Sequence, residues 1–199
     1  MESESVDKLQ VGDLLKLEEY AGRRGEFRAR VLRHKKNRKL HIGAHLTLLF
    51  EDRLTIQYQI QEMLRIERIF ERGAIEGELA VYNPLIPDGG NWKASCLIEY
   101  PELEERQRRL AELKGIEDSI WVRIGDGEKI VAVADEDLER GNQAKTSAVH
   151  FLRFELPPPA IAALRTGATV HFGVDHPGYR HSAEAPEPVR AALLADLDG

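Results

Sequence analysis

The amino-acid sequence predicts an α+β protein with a mostly antiparallel sheet of about six strands and packed helices. Six segments have strand-like patterns, and helices separate some of them while tight turns join others, which favours this class over a doubly wound sheet. Hydrophobic residues make up 42% of the chain and charged residues 31%, which is ordinary for a globular protein. No repeat or long linker divides the 199 residues, so we expect a single domain spanning residues 1–199.

The N-terminal part is predicted to contain two helices followed by a strand. The first helix starts at Asp13, which can cap it, and is expected to break at Gly22 and Gly25. The second is an amphipathic basic helix that continues to about Asn37. Residues 46–51 alternate with period two, which is typical of a strand.

The middle of the chain is predicted to alternate between helices and one strand. The longest helix covers residues 54–70, where apolar positions follow the helical period and no proline or glycine intervenes, and a shorter helix covers residues 75–81. Prolines and glycines make residues 83–90 a stiff loop. Residues 92–100 then form a strand, and residues 102–114 form a charged helix.

The C-terminal part is predicted to be rich in strands. Residues 120–124 and 129–134 flank the turn Gly125–Glu128, so we expect a β-hairpin. A strand at residues 148–156 is followed by a short helix at residues 160–164 and a last strand at residues 169–175. A loop with a Pro-Gly turn at residues 175–181 and a small terminal helix beyond Val189 complete the chain.

Cysteine content and apolar runs exclude several classes of protein. The single cysteine, Cys96, cannot form an internal disulfide, a zinc finger or a cysteine-held iron–sulfur centre, and its apolar strand face predicts an inert core thiol. The longest apolar runs fall far short of the ~20 residues that span a membrane. The acidic N-terminus lacks the layout of a secretory signal. We therefore expect a cytoplasmic protein without a membrane partner.

A basic segment stands out in a chain of net charge −6. Nine lysines and arginines lie between Arg23 and Lys39, opposed by Glu26 alone. Such a run can bind phosphate, but it is more often the solvated face of a helix. The acidic remainder of the chain and the lack of accompanying stacking aromatics argue against nucleic acid as a partner.

Four segments, at residues 46–51, 58–65, 82–89 and 146–154, resemble the bacterial family called domain of unknown function 3501. The resemblance covers nearly the whole chain. Members of that family tend to be encoded near rubrerythrin-like di-iron proteins and iron–sulfur oxidoreductases. The resemblance therefore implies a redox or oxidative-stress setting and a redox protein as partner, but it implies no reaction and no catalytic residue.

The histidines are the candidate metal ligands, and Fe or Zn is the candidate metal. His176 and His181 flank a Pro-Gly turn that can bring their rings together, and Asp175 can orient a histidine by accepting its second ring proton. We expect them to share a concave surface with His45 or His150. His150 lies on an apolar strand face, where a backbone carbonyl or a carboxylate is the alternative partner.

Two functions follow from these residues, and the sequence leaves both open. The first is an accessory protein that binds a metal, a cofactor or a partner. The second is a metal-dependent enzyme that uses His45, His176 and His181, with Glu62 or Asp175 as the base. For each histidine the structural alternative is a polar turn or core residue. The paired Glu-x-x-His sequences of di-iron bundles are absent.

Overall fold

The computed structural model describes residues 8–136 and 145–197. In these ranges the chain forms six α-helices and nine β-strands. The helices are α1 (Leu17–Lys35), α2 (Arg53–Glu67), α3 (Arg72–Tyr82), α4 (Leu103–Glu112), α5 (Pro158–Arg165) and α6 (Glu187–Ala195). The strands are β1 (Lys39–Ile42), β2 (Leu46–Glu51), β3 (Asn91–Ile98), β4 (Ile120–Ile124), β5 (Ile130–Val131), β6 (Val133–Ala134), β7 (Val149–Glu155), β8 (Val170–His176) and β9 (Tyr179–Glu184).

The strands form two antiparallel sheets rather than one sheet of about six strands. The first sheet has the order β1-β2-β3-β7-β6, and the second has the order β5-β4-β8-β9. The predicted hairpin is confirmed where Trp121 pairs with Val131, but the rest of its second strand leaves that sheet. Val133 pairs instead with Arg153 of β7, and the buried Ala132 lies at the crossover. One segment that reads as a single strand therefore contributes to both sheets.

The core lies between the two sheets and centres on Phe172. Its ring lies 4.9 Å from the ring of Phe50, 5.4 Å from that of Phe154 and 5.9 Å from that of Trp92, measured between centroids. All four side chains are fully buried. Aromatic side chains of this size dominate core energetics, so this contact holds the two sheets together.

Helix α1 runs through both glycines that were expected to break it. Gly22 and Gly25 are exposed within the helix, and nothing lies within 4 Å of a Cβ placed on either. A glycine in a helix costs only about 1 kcal/mol relative to alanine, and the burial of Tyr20 and Val31 outweighs that cost. The prediction of a break at these glycines was therefore wrong.

Helices α1 and α2 pack as an antiparallel pair. Phe27 of α1 stacks on Tyr58 of α2, and Tyr20, earlier in α1, bonds to Glu62, later in α2. A second apolar cluster joins α2 to α3 and to the N-terminal segment, and its buried members are Leu9, Ile56, Ile60, Leu64, Leu79 and Ile86. No helix in the described ranges is long and apolar enough to cross a membrane.

The segment expected to be a loop at residues 175–181 is a tight β-hairpin. His176 pairs with Tyr179, and Pro177-Gly178 forms the two-residue turn between β8 and β9. Strand β9 was missed because it lies at the edge of the sheet, where most of its side chains are exposed and apolar alternation is weak.

Candidate functional site

The β1–β2 turn packs directly on strand β9. Gly43 has φ +69°, and a Cβ at this position would lie 2.6 Å from the Tyr179 hydroxyl and 2.8 Å from the His181 ring. Only glycine fits both the backbone conformation and the space. The turn and β9 therefore meet in close contact at this end of the two sheets.

Tyr179 fastens this contact with two hydrogen bonds. Its hydroxyl donates to the Ile42 carbonyl at 2.6 Å and accepts the backbone N–H of His45 at 3.0 Å. Burial raises the pKa of Tyr179, so its hydroxyl keeps its proton for the bond to Ile42. The main chain before and after Gly43 is thus held on one side chain of β9.

The ring of His45 is fixed in orientation and in tautomer. It stacks on Tyr100 with 4.1 Å between ring centroids and an interplanar angle of 17°. Its Nδ1 donates to the Glu99 carbonyl at 3.0 Å. Because a carbonyl only accepts, Nδ1 carries the proton, and in the neutral ring Nε2 keeps the lone pair through which histidine binds a metal.

His181 lies beside the same tyrosine. Its exposed ring is 4.6 Å from the Tyr179 ring between centroids, with 59° between the planes. His45 and His181 therefore both contact Tyr179, His45 through its backbone N–H and His181 through its ring. We refer to His45 and His181 as the histidine pair.

His176 and Asp175 make other contacts. His176 accepts the Gly178 N–H at Nδ1 and donates from Nε2 to the Lys114 carbonyl, each at 3.1 Å, so one nitrogen serves the turn and the other the segment after α4. Asp175 forms an ion pair with Lys129 at 2.6 Å. The hydrogen bond from Lys129 lowers the pKa of the Asp175 carboxyl, which contacts no histidine in the described residues.

His150 lies in a separate network and has the carboxylate partner that the sequence left as the alternative. It is fully buried, and its Nδ1 donates to Asp135 at 2.5 Å. Its Nε2 lies 2.8 Å from the Thr146 hydroxyl and 3.1 Å from the Ser147 carbonyl. The Thr146 hydroxyl donates onward to Glu117 at 2.8 Å. We call Asp135, His150, Thr146 and Glu117 the His150 network.

Cys96 lies directly opposite His150 in the β3–β7 ladder. The thiol is fully buried, as predicted, and burial raises its pKa. A buried thiol of raised pKa holds little thiolate at neutral pH and is inert. Cys96 is therefore part of the core.

Within residues 8–136 and 145–197, no group of three or more histidine, cysteine or acidic side chains has the geometry to hold a metal ion. The residues that organise the histidine pair are Gly43, Tyr100 and Tyr179. A glycine between two strand patterns is a signal of a turn. The contact between that turn and β9 joins residues far apart in the chain, and no local pattern encodes it.

Comparisons with known proteins give a family and a fold. A crystal structure of a "novel protein of unknown function" from Burkholderia pseudomallei K96243 is similar to this chain, with 50% sequence identity and a TM-score of 0.92. The match covers 96% of this chain and 100% of the other. No curated protein matches. The family model described as "Protein of unknown function (DUF3501)" matches residues 8–197, and the chain therefore belongs to the DUF3501 family.

Proposed function

We propose that this protein is an accessory protein that binds a transition metal ion, Fe or Zn, through the histidine pair. A partner molecule or water would supply the remaining ligands. The observation that carries the proposal is the hydrogen bond from His45 Nδ1 to the Glu99 carbonyl, which leaves Nε2 as a lone-pair donor. Histidines that bind metals almost always donate their other ring N–H in this way.

The ring orientations support the same proposal. Stacking on Tyr100 restricts His45, and Tyr179 together with Gly43 restricts His181. Ordering two side chains before the ion arrives lowers the entropy that binding would otherwise cost. Imidazole nitrogen suits both Zn and Fe, and two imidazoles fill only part of either coordination sphere. A partly filled coordination sphere suits a protein that presents a metal ion to another molecule.

The redox pathway and the redox protein partner that we propose rest on the family resemblance alone. A search for the partner would begin from the metal-loaded protein, because the partner would complete the coordination sphere of the ion.

The contacts favour this accessory role over the metal-dependent enzyme. That enzyme needs a base, but Arg24 donates hydrogen bonds to both carboxylate oxygens of Glu62. These bonds, together with one from Tyr20, lower the pKa of Glu62 to about 2. Such a weak base is poorly matched to proton abstraction at neutral pH. Asp175 is paired with Lys129, and the two ring nitrogens of His176 are hydrogen-bonded to the backbone of Gly178 and Lys114.

Calorimetric titration of the full-length protein with Zn²⁺, and with Fe²⁺ under anaerobic conditions, tests the proposal. We expect binding of one ion, weakened at least tenfold in His45→Ala and in His181→Ala. The matched control is His41→Ala, an exposed histidine of β1 whose Nδ1 faces the Thr47 hydroxyl. Unchanged affinity in both pair variants, or loss in His41→Ala alone, would overturn the proposal.

A further inference from the structure

The outer face of the second sheet carries a positively charged depression. Its volume is about 370 Å³. Side chains from β4, β8, β9 and the β4–β5 turn form its lining. They are Trp121, Arg123, Lys129, Asp175, Arg180 and Ser182, with Val174 and His181 at its border. This face is turned away from the core between the sheets, because each of these strands points its alternate side chains towards Phe172.

Trp121 forms a rigid floor for the depression. The indole lies flat against Gly173, where an added Cβ would come within 2.2 Å of its ring. The Lys129 ammonium lies 4.2 Å from the ring centroid on a cation–π contact, and it also pairs with Asp175. Backbone and ammonium thus cover the indole, so the depression offers charge and hydrogen bonds rather than a stacking surface.

Arg123 has a buried donor in this depression. Its Nε has no hydrogen-bond partner within the described residues. His171 faces Arg123 across the β4–β8 ladder, and its Nε2 lies 3.5 Å from a Glu184 carboxylate oxygen. Arg180 lies opposite Asp175, whose carboxylate is already paired with Lys129. Buried donors in native proteins nearly always have an acceptor, so the Arg123 Nε points to one supplied from outside.

We propose that the depression binds a phosphate group, either free or on a small phosphorylated molecule. Arg123, Lys129 and Arg180 against Asp175 leave two positive charges, which match a phosphate dianion. Guanidinium groups offer paired donors that fit tetrahedral oxyanions, and a phosphate oxygen only accepts. The Ser182 hydroxyl adds a neutral donor on the same lining. His181 of the histidine pair also lines the depression, so this site adjoins the proposed metal site, but the groups proposed to bind phosphate are not the proposed metal ligands.

Nuclear magnetic resonance on the full-length protein tests this proposal. Sodium phosphate is titrated at constant ionic strength and pH 7.5, and the two indole N–H signals are followed. The Trp121 signal should move and saturate. The Trp92 signal should stay in place, because that indole donates to the Leu193 carbonyl in the core. No saturable shift of Trp121 would overturn the proposal.

Charge variants identify the groups responsible. The double variant Arg123→Gln/Arg180→Gln should bind phosphate at least tenfold more weakly, while Arg72→Gln, which removes an arginine 81% exposed on α3, should bind as the parent does. If the double variant does not fold, Arg180→Gln alone should weaken binding at least threefold. Equal affinity in these variants would refute the assignment. Repeating the titration with glycerol phosphate distinguishes the two sources: tighter binding indicates a phosphorylated molecule, and binding of inorganic phosphate alone indicates the free ion.

Discussion

Arg38 and Asp196, 158 residues apart, form a buried bidentate ion pair that ties the end of the basic segment to the C-terminal helix. The two guanidinium nitrogens lie 2.9 Å and 2.6 Å from the two carboxylate oxygens, and the Arg38 Nε lies 2.8 Å from Asp52. One residue of the supposed solvated basic run is therefore an internal anchor.

We expect Asp196→Asn to lower the free energy of unfolding by about 3 kcal/mol, because it leaves a buried guanidinium without one of its two carboxylates. Urea denaturation measures the change. Glu187→Gln is the control, since it breaks a pair between Arg190 and an exposed carboxylate, which contributes little to stability. Similar losses in the two variants would show that the Arg38–Asp196 pair is not an anchor.

Glu62 should make stability depend on pH in the acid range. Its pKa falls from 4.5 to about 2 in the folded protein, chiefly through the hydrogen bonds from Arg24. A carboxyl with a lowered folded-state pKa stabilises fully above its unfolded value and loses that effect as pH falls towards its folded value. The contribution should therefore be present above pH 4.5 and disappear between pH 4.5 and 2.

Glu62→Gln is the test of this dependence. We expect the variant to lose about 1–2 kcal/mol at pH 7, discounted for partial exposure, and to differ little from the parent near pH 2. Thermal or urea unfolding across this range measures both proteins. A difference that stays constant from pH 7 to pH 2 would contradict the assignment, because it would then arise from packing rather than charge.

Alanine substitutions of Gly43 and Gly22 should change the free energy of unfolding in opposite directions. Gly43→Ala places a Cβ against Tyr179 and His181 at positive φ, so we expect a loss of about 2–3 kcal/mol. Gly22→Ala adds a methyl to open space in α1 and should add about 0.5–1 kcal/mol. Chemical denaturation of the two variants measures the contrast. Stabilisation by Gly43→Ala would mean that the turn does not pack on β9.

The sequence predicted local elements better than their assembly. The helical period of residues 53–67 was readable because α2 buries one face. Strands β2 and β3 were readable from apolar alternation, although most of their residues on both faces are buried. Edge strand β9 was not, since its exposed side chains leave no pattern, and neither was the crossing of residues 130–134 between the sheets.

Similar reasons explain what could be predicted of the candidate site. His150 was expected to be buried with a partner, since a polar ring on an apolar face needs one. The partner, Asp135, is set by strand pairing between β6 and β7. The shared contact of His45 and His181 with Tyr179 depends on that side chain filling the space above Gly43, which is a tertiary contact. Histidine spacing along the chain carries no information about it.

The His150 network should control access to Cys96. His150 and Cys96 are both fully buried and lie opposite each other in the β3–β7 ladder. A thiol reagent can therefore reach Cys96 only when this region opens. In the parent protein we expect labelling to be far slower than in urea-unfolded chains, because burial and a raised thiol pKa both oppose it.

Asp135→Asn should speed that labelling. The variant removes the charge that accepts the His150 Nδ1 proton at 2.5 Å, and leaving a buried ring poorly partnered costs about 2 kcal/mol. If the opening that exposes Cys96 is made easier by this amount, labelling accelerates about 30-fold, since 1.4 kcal/mol is a factor of ten. Asp126→Asn, in the exposed β4–β5 turn, is the matched control and should label at the parent rate. Equal rates in all three proteins would show that Cys96 becomes accessible by a motion in which the His150 network stays intact.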